Sequence, residues 1–190
     1  MDELTSLARA AGRGDRDALA GLVKQTQGDV WRFCAHLVDP PAADDLTQGT
    51  YLRAIPALRK FRGDAQVRTW LLAIARRVCA AEIGVRSRDR ELAVRLAAAP
   101  ASGLGQAPPE PGAQTAVDLL LAALEPDRRA ALVLTQLLGC SYAEAAAVCD
   151  CPVAAIRSRV ARAREDLNAM MRDPAEGRRQ AGAHGSPEPK

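Results

Sequence analysis

Apolar residues recur at three- and four-residue spacing along most of this chain, which is the period of a helix with one buried face. Residues 2–11 predict a short, frayed helix ended by Gly12-Arg13-Gly14. Asp15 is a good N-cap, and Leu19, Leu22, Val23, Val30, Phe33, Cys34 and Leu37 then mark an amphipathic helix to about Val38, with Trp31 at its margin. Asp39-Pro40-Pro41 reads as a stop. The next helix starts at Ala42, with Leu46, Tyr51 or Leu52, and Ile55 facing inward, and Pro56 bends or ends it near Ile55. Phe61-Arg62-Gly63-Asp64 reads as a loop. Val67, Trp70, Leu71, Ile74, Ala75 and Val78 form an apolar stripe on a helix to about Val85, from which Arg68, Arg76 and Arg77 emerge. Trp70 sits on that stripe, so a core role comes before a stacking one.

Residues 97–113 break the pattern. They are rich in Ala, Pro and Gly and have no amphipathic period, as expected of a flexible linker. Gln114 to Leu124 is helical again, and Glu125-Pro126-Asp127 opens a helix expected to reach Leu138 with Gly139 as its cap. Ser141 and Glu144 have capping-box spacing. Asp150-Cys151-Pro152 breaks that helix, and Pro152 suits the first turn of the next, which runs to about Leu167. Helix, short turn, basic helix is the helix-turn-helix pattern. At about 100° per residue, Val153, Ile156, Val160, Ala163 and Leu167 share the core stripe. Ser158 and Arg162 lie opposite it with Ala155 beside them, Arg157 and Arg159 on the flanks, and Arg164 near the core edge. Small residues let a helix approach base edges, and arginines bond guanine or phosphate. From about 173 the tail lacks core-forming residues and reads as disordered.

Composition agrees with an all-α chain: Ala and Leu dominate, β-branched runs are absent, and the aromatics are two Trp, two Tyr and two Phe. No run of 18 apolar residues occurs and the N-terminus is acidic, so neither a membrane helix nor a signal peptide is expected, and the location implied is cytoplasmic. Five cysteines, an odd number, argue against a disulfide framework. Cys149-x-Cys151 with Cys140 nearby lacks zinc-motif spacing and has no neighbouring His. Buried free thiols at helix ends are expected, and no metal or cofactor. No catalytic arrangement of Ser/His/Asp, paired carboxylates or a phosphate loop stands out, which argues against an enzyme.

The overall charge of +3 conceals a segregation. Residues 1–52 carry five basic and eight acidic groups, 53–95 carry eleven and four, and 96–128 carry one and four. A basic middle block between acidic flanks points to a polyanion for the one and a different partner for the first.

Four segments in order resemble the extracytoplasmic-function (ECF, group IV) sigma factors of bacterial RNA polymerase. They are Ala43-Asp44-Asp45-Leu46-Thr47-Gln48; Phe61-Arg62-Gly63-Asp64; Arg68-Thr69-Trp70-Leu71-Leu72-Ala73-Ile74-Ala75-Arg76; and Ser141-Tyr142 through Cys151-Pro152-Val153 to Arg157-Ser158-Arg159-Val160-Ala161-Arg162-Ala163-Arg164. Gln27-x-Asp29-Val30-Trp31-Arg32-Phe33 and Thr69-Trp70-Leu71-Leu72-Ala73-Ile74-Ala75-Arg76 are similar to the actinobacterial sigma-C-like branch.

The resemblance implies two small helical domains: a region 2 bundle over 1–95 and a region 4 helix-turn-helix over 114–172, with linker 96–113 between them and tail 173–190 after. It implies that Asp44, Asp45, Gln48 and Arg53 dock on the clamp helices of the polymerase β′ subunit. Phe61, Arg62, Gly63, Asp64, Arg68, Arg76 and Arg77 would bind the −10 promoter element and capture an unstacked base. Ala155, Arg157, Ser158, Arg159 and Arg162 would read the −35 element. Core polymerase, including the β flap, and promoter DNA are the implied partners, and an anti-sigma factor is a further candidate. The chain departs from the family where Arg77 replaces Asn, Ala154 replaces Gly, Ala155 replaces Thr, and Ala145 replaces a larger aliphatic. The competing expectation is a stand-alone helix-turn-helix regulator that uses 114–170 on DNA and recruits a protein through 15–95. The pairing of an acidic helix with a basic, strand-capturing one separates the two, since a simple regulator has no need of it.

Overall fold

The computed structural model describes residues 3–63, 65–97 and 115–172. No strand occurs among them. Contacts divide the chain into two units, Met1–Gln114 and Thr115–Lys190. Most of the expected linker (98–113) and all of the expected tail fall outside the described residues.

The first unit holds α1 (Glu3–Gly12), α2 (Arg16–Leu37), α3 (Pro40–Ala57), a 3-10 turn (Leu58–Lys60) and α4 (Val67–Ala97). Asp15 caps α2 through Asp17 N and Ala18 N, both at 3.0 Å. Its apolar face buries Leu22, Val30, Phe33, Cys34 and Leu37 against α1, α3 and α4. Phe33 is fully enclosed, and truncating such a side chain to Ala costs about 3–5 kcal/mol. Two hydroxyls enter this core as a matched pair. Thr26 Oγ1 donates to Leu22 O at 2.7 Å, so Tyr51 OH donates to Thr26 Oγ1 at 2.7 Å and neither is stranded.

Several boundaries differ from the sequence expectation. The frayed helix is instead packed: α1 lies along α2, with Thr5 and Ala8 buried. Gly12 allows this, because a Cβ there would lie 2.6 Å from Leu58 O. Asp39-Pro40-Pro41 starts a helix rather than only ending one. Asp39 Oδ1 accepts from Ala42 N at 2.8 Å, and the prolines fill the first turn, where their missing N–H has no partner to lose. Pro56 sits inside α3, which tightens into the 3-10 turn two residues later. The core side of α3 is Ala43, Leu46, Thr50, Tyr51 and Ala54. Of the alternatives Tyr51 and Leu52, Tyr51 faces inward and Leu52 is 66% exposed, while Ile55, expected inward, is 41% exposed. On α4 the buried set is Val67, Leu71, Leu72, Ala75, Val78 and Cys79. Trp70 and Ile74 are half-buried, and the helix runs twelve residues beyond Val85, to Ala97.

The second unit holds α5 (Ala116–Ala122), α6 (Pro126–Leu132), a π turn (Val133–Leu137), α7 (Tyr142–Cys149) and α8 (Val153–Arg172). A capping box of Thr115 and Asp118 starts α5. The helix expected to reach Leu138 widens into the π turn at Val133, and Cys140 N donates to Leu134 O at 2.9 Å beyond it. The Ser141–Glu144 capping box is present in both directions, at 3.2 Å and 2.7 Å. Ile156, Val160 and Ala163 of α8 bury against α6 and α7. Val153 does not join them and is 37% exposed. Ala145 of α7 is fully buried.

Candidate nucleic-acid and protein interfaces

Three surfaces carry the residues singled out from the sequence. The first lies on α3. Burial of Ala43, Leu46, Thr50 and Ala54 turns Asp44, Asp45, Gln48 and Arg53 outward, and all four are exposed. Arg53 Nη1 donates to Gly49 O at 3.1 Å, which lays its side chain along the helix. Asp44 Oδ1 accepts from Trp31 Nε1 on α2 at 2.8 Å. Trp31 is 39% exposed, and Leu52 and Ile55 share the helical side of Asp44 and Gln48. The surface is therefore acidic and apolar together, as protein-docking patches are. Sequence reasoning missed Trp31, Leu52 and Ile55. The signal that could have found the last two is phase: at 100° per residue, 44, 48, 52 and 55 fall within about a quarter turn.

The second surface is the loop after the 3-10 turn, with the start of α4. Phe61 is half-buried, with its ring centroid 5.2 Å from that of Trp70 and the planes tilted by 48°. Trp70 thus borders the loop, while Leu71 and Leu72 supply the core contacts. Arg62 is exposed, and its carbonyl accepts from Arg9 Nη2 at 2.8 Å. Gly63 takes φ +84°, a backbone conformation that favours glycine, and a Cβ there would meet Arg9 Nη2 at 2.8 Å and push that side chain aside. Asp64 lies outside the described residues. Arg77 is exposed and Arg76 half-buried. Arg68 is half-buried and ion-paired with Asp29 on α2, which also pairs with Arg32. Burial works against ionisation of Asp29, but these two guanidinium groups outweigh it and hold its carboxyl below the usual range.

The third surface is the outer side of α8. Asp150 ends α7 in the left-handed conformation (φ 51°), a turn more often made by glycine. Cys151 N donates to Ala146 O at 3.1 Å across that turn. Arg157, Ser158 and Arg162 are exposed, and Ala155 is half-buried beside them. Arg159 differs: its Nη2 donates to Asp127 Oδ2 on α6 at 2.5 Å, and its Nη1 lies 3.5 Å from Cys151 Sγ. Arg164 Nη2 donates to Gln136 Oε1 at 2.7 Å. The unit is braced further by Arg129, only 8% exposed, whose Nη2 reaches Ala122 O at 2.5 Å and Leu124 O at 3.0 Å.

The cysteines form no metal-binding group among the described residues. Cys34 and Cys79 face each other with sulfurs 3.7 Å apart in the first core; Cys140 and Cys149 are buried, and Cys151 is half-exposed. No helix among the described residues is long and apolar enough to cross a membrane.

A helical bundle with an acidic-apolar face and a basic loop, followed by a helix-turn-helix unit, defines a promoter-recognising transcription factor. Residues 22–90 match the family Sigma-70 region 2, and residues 114–167 match Sigma-70, region 4. The ECF RNA polymerase sigma factor SigC of Mycobacterium tuberculosis is 50% identical over 169 residues, covering 87% of this chain and 90% of that protein. The ECF RNA polymerase sigma-E factor of Escherichia coli K12 is 30% identical over 182 residues, covering 85% and 91%. Among solved structures, CnrH in complex with the cytosolic domain of CnrY aligns with a TM-score of 0.65 at 28% identity, over 90% of this chain and 97% of that one. The sigma factor RpoE of Bartonella quintana, in complex with the anti-sigma factor NepR, aligns at 0.63 and 26% identity, over 81% and 96%.

This chain belongs to the ECF sigma factors of bacterial RNA polymerase, with the sigma-C-like resemblance supported by the mycobacterial relative. It is a subunit that directs transcription initiation with RNA polymerase at promoter DNA, and the stand-alone regulator is not favoured.

Proposed function

We propose that the three surfaces divide the work of a sigma factor between them. Asp44, Asp45, Gln48 and Arg53, with Trp31, Leu52 and Ile55, dock on the β′ clamp helices of core polymerase. Phe61, Arg62, Gly63 and Asp64 take up an unstacked base of the −10 element, and Arg68, Arg76 and Arg77 hold its strand. Ala155, Arg157, Ser158 and Arg162 enter the major groove of the −35 element, and Arg159 supports that helix from its flank. The functional division is region 2 over 1–95, linker 96–113, region 4 over 114–172 and tail 173–190; the region 4 unit also meets the β flap. The chain works in the cytoplasm without catalysis, metal or cofactor of its own.

The observation that carries this reading is the acidic-apolar face of α3 in the same unit as the basic loop and α4. The test is co-purification with core polymerase, followed by run-off transcription on a promoter library. Asp44→Arg with Asp45→Arg should abolish co-purification while circular dichroism stays helical, because both residues are exposed and the side-chain bond lost is the surface one from Trp31 to Asp44. Unchanged co-purification sinks the docking assignment.

An anti-sigma factor is a further proposed partner. Leu92 and Val94 of α4 and Val117 and Leu119 of α5 are all more than half exposed, which supports apolar cover supplied by another protein.

A further inference from the structure

Helix α1 lies before the stretch matched to region 2, which begins at residue 22. It nonetheless helps to build a concavity of about 340 Å³ beside the −10 loop. Arg9, Gly12 and Arg13 form one wall, and Leu58, Arg59, Phe61 and Arg62 form the other. Four arginines thus line one space together with the apolar Leu58 and Phe61.

Their roles differ. Arg9 bonds the Arg62 carbonyl and lies against Gly63, so it props the loop from behind. Arg13, Arg59 and Arg62 are exposed, and none forms an ion pair with a carboxylate among the described residues. Like charges gathered at one place repel, and an anion placed among them lowers that cost. A guanidinium fork matches the two free oxygens of a phosphodiester. Phe61 and Arg62 belong both to this concavity and to the loop proposed to hold the −10 base.

We propose that Arg13, Arg59 and Arg62 hold one backbone phosphate of the non-template strand, next to the base taken up by the Phe61–Asp64 loop, with Arg9 as the positioning residue that fixes the loop. The proposal rests on the −10 assignment above. It makes α1 and the 3-10 turn part of the strand-binding surface, and it places the bound strand across the α1 side of the loop.

The test uses holoenzyme assembled from the full chain and core polymerase. Its probe is a fluorescent single-stranded oligonucleotide carrying the non-template −10 sequence of a promoter that this holoenzyme opens. Neutral methylphosphonate is placed at one linkage at a time. Wild type should lose affinity about tenfold at a single linkage beside the captured base. Arg13→Ala with Arg59→Ala should lose about ten- to a hundredfold on the unmodified strand and show no further loss at that linkage. Its salt dependence should be shallower by about one, since each single-strand phosphate contact contributes about 0.7 to the slope. Both side chains are exposed, so the thermal melt of the variant should match wild type. The same methylphosphonate profile in variant and wild type overturns the proposal. So does an equal loss at every linkage, which reports only general attraction. If the variant loses polymerase affinity while assembled holoenzyme binds the strand normally, the concavity docks protein and the proposal falls. If wild-type holoenzyme shows no preference for the −10 strand, the loop assignment itself has failed, a result distinct from the others.

Discussion

Arg159 on α8 donates to Asp127 on α6 at 2.5 Å, so one arginine of the set proposed to meet the −35 element is engaged inside its own unit. Arg157 and Arg162, on either side of it along the helix, are exposed. Replacing Arg159 with Ala removes a half-exposed ion pair, a change of about 0.5–1 kcal/mol in stability. Replacing Arg162 with Ala should leave the melt unchanged and cost about 1–3 kcal/mol at the −35 duplex if it bonds a base. Denaturant unfolding and duplex titration on the same two proteins separate the roles. Equal loss for Arg162→Ala on every duplex would assign it to phosphate. A larger DNA loss for Arg159→Ala than for Arg162→Ala would show that the ion pair opens on the promoter.

The Asp29–Arg68 pair gives region 2 an acid-sensitive contact. The folded carboxyl has a lowered pKa, so its contribution is present above the ordinary aspartate value of about 4 and fades as pH falls through the folded value. Asp29→Asn should lower stability by about 1 kcal/mol at neutral pH, with the difference from wild type shrinking below about pH 4. Thermal melts from pH 7 to pH 3 measure it. A difference that persists unchanged at pH 3 would mean that Asn is poorly accommodated for steric reasons instead.

Local signals in the chain were enough to place most helices. The capping box at Ser141, the N-cap at Asp15 and the stripes around Phe33 and Ile156 act over a few residues, and the structure keeps them. What failed was decided by partners distant in sequence or by helical phase. Residues 2–11 look frayed alone, yet Gly12 lets α1 close on Leu58. Prolines 40 and 41 read as a stop, but Asp39 caps α3 and makes them its first turn. Ile55 reads as core by residue type, and Leu52 as an alternative to Tyr51, but helical phase puts both beside Asp44 and leaves Tyr51 inside. The Arg68–Asp29 and Arg159–Asp127 pairs join positions 39 and 32 residues apart, a distance that no periodicity can bridge.

Arg129 closes the gap between α5 and α6 by donating to the carbonyls of Ala122 and Leu124. Burial lowers its pKa from the usual arginine value, with Glu125 acting in the other direction. Arg129→Ala leaves two carbonyls with one donor fewer in a half-enclosed site, and should destabilise the second unit by about 2–3 kcal/mol. Unfolding followed by hydrogen exchange should show the loss in 115–172 and leave 3–97 as protected as in wild type. Matching losses in both halves would show that the two units unfold together.

The five thiols should separate by access. The contact with Cys34, together with burial, raises the pKa of Cys79, while the same contact lowers that of Cys34. Sharing one proton-bearing contact inside the core, the pair meets no reagent until α2 and α4 part. Cys140 and Cys149 are equally enclosed, whereas Cys151 lies at the turn before α8 with its sulfur near Arg159. Under native conditions a thiol reagent should therefore modify one cysteine quickly and the other four only at the rate of opening or unfolding. Peptide mapping after a brief alkylation should find the label on Cys151. Promoter DNA bound along α8 should slow that reaction, and Cys151→Ser should remove the fast phase entirely. Fast labelling at Cys34 or Cys79 would mean that the region 2 core opens far more readily than its packing implies.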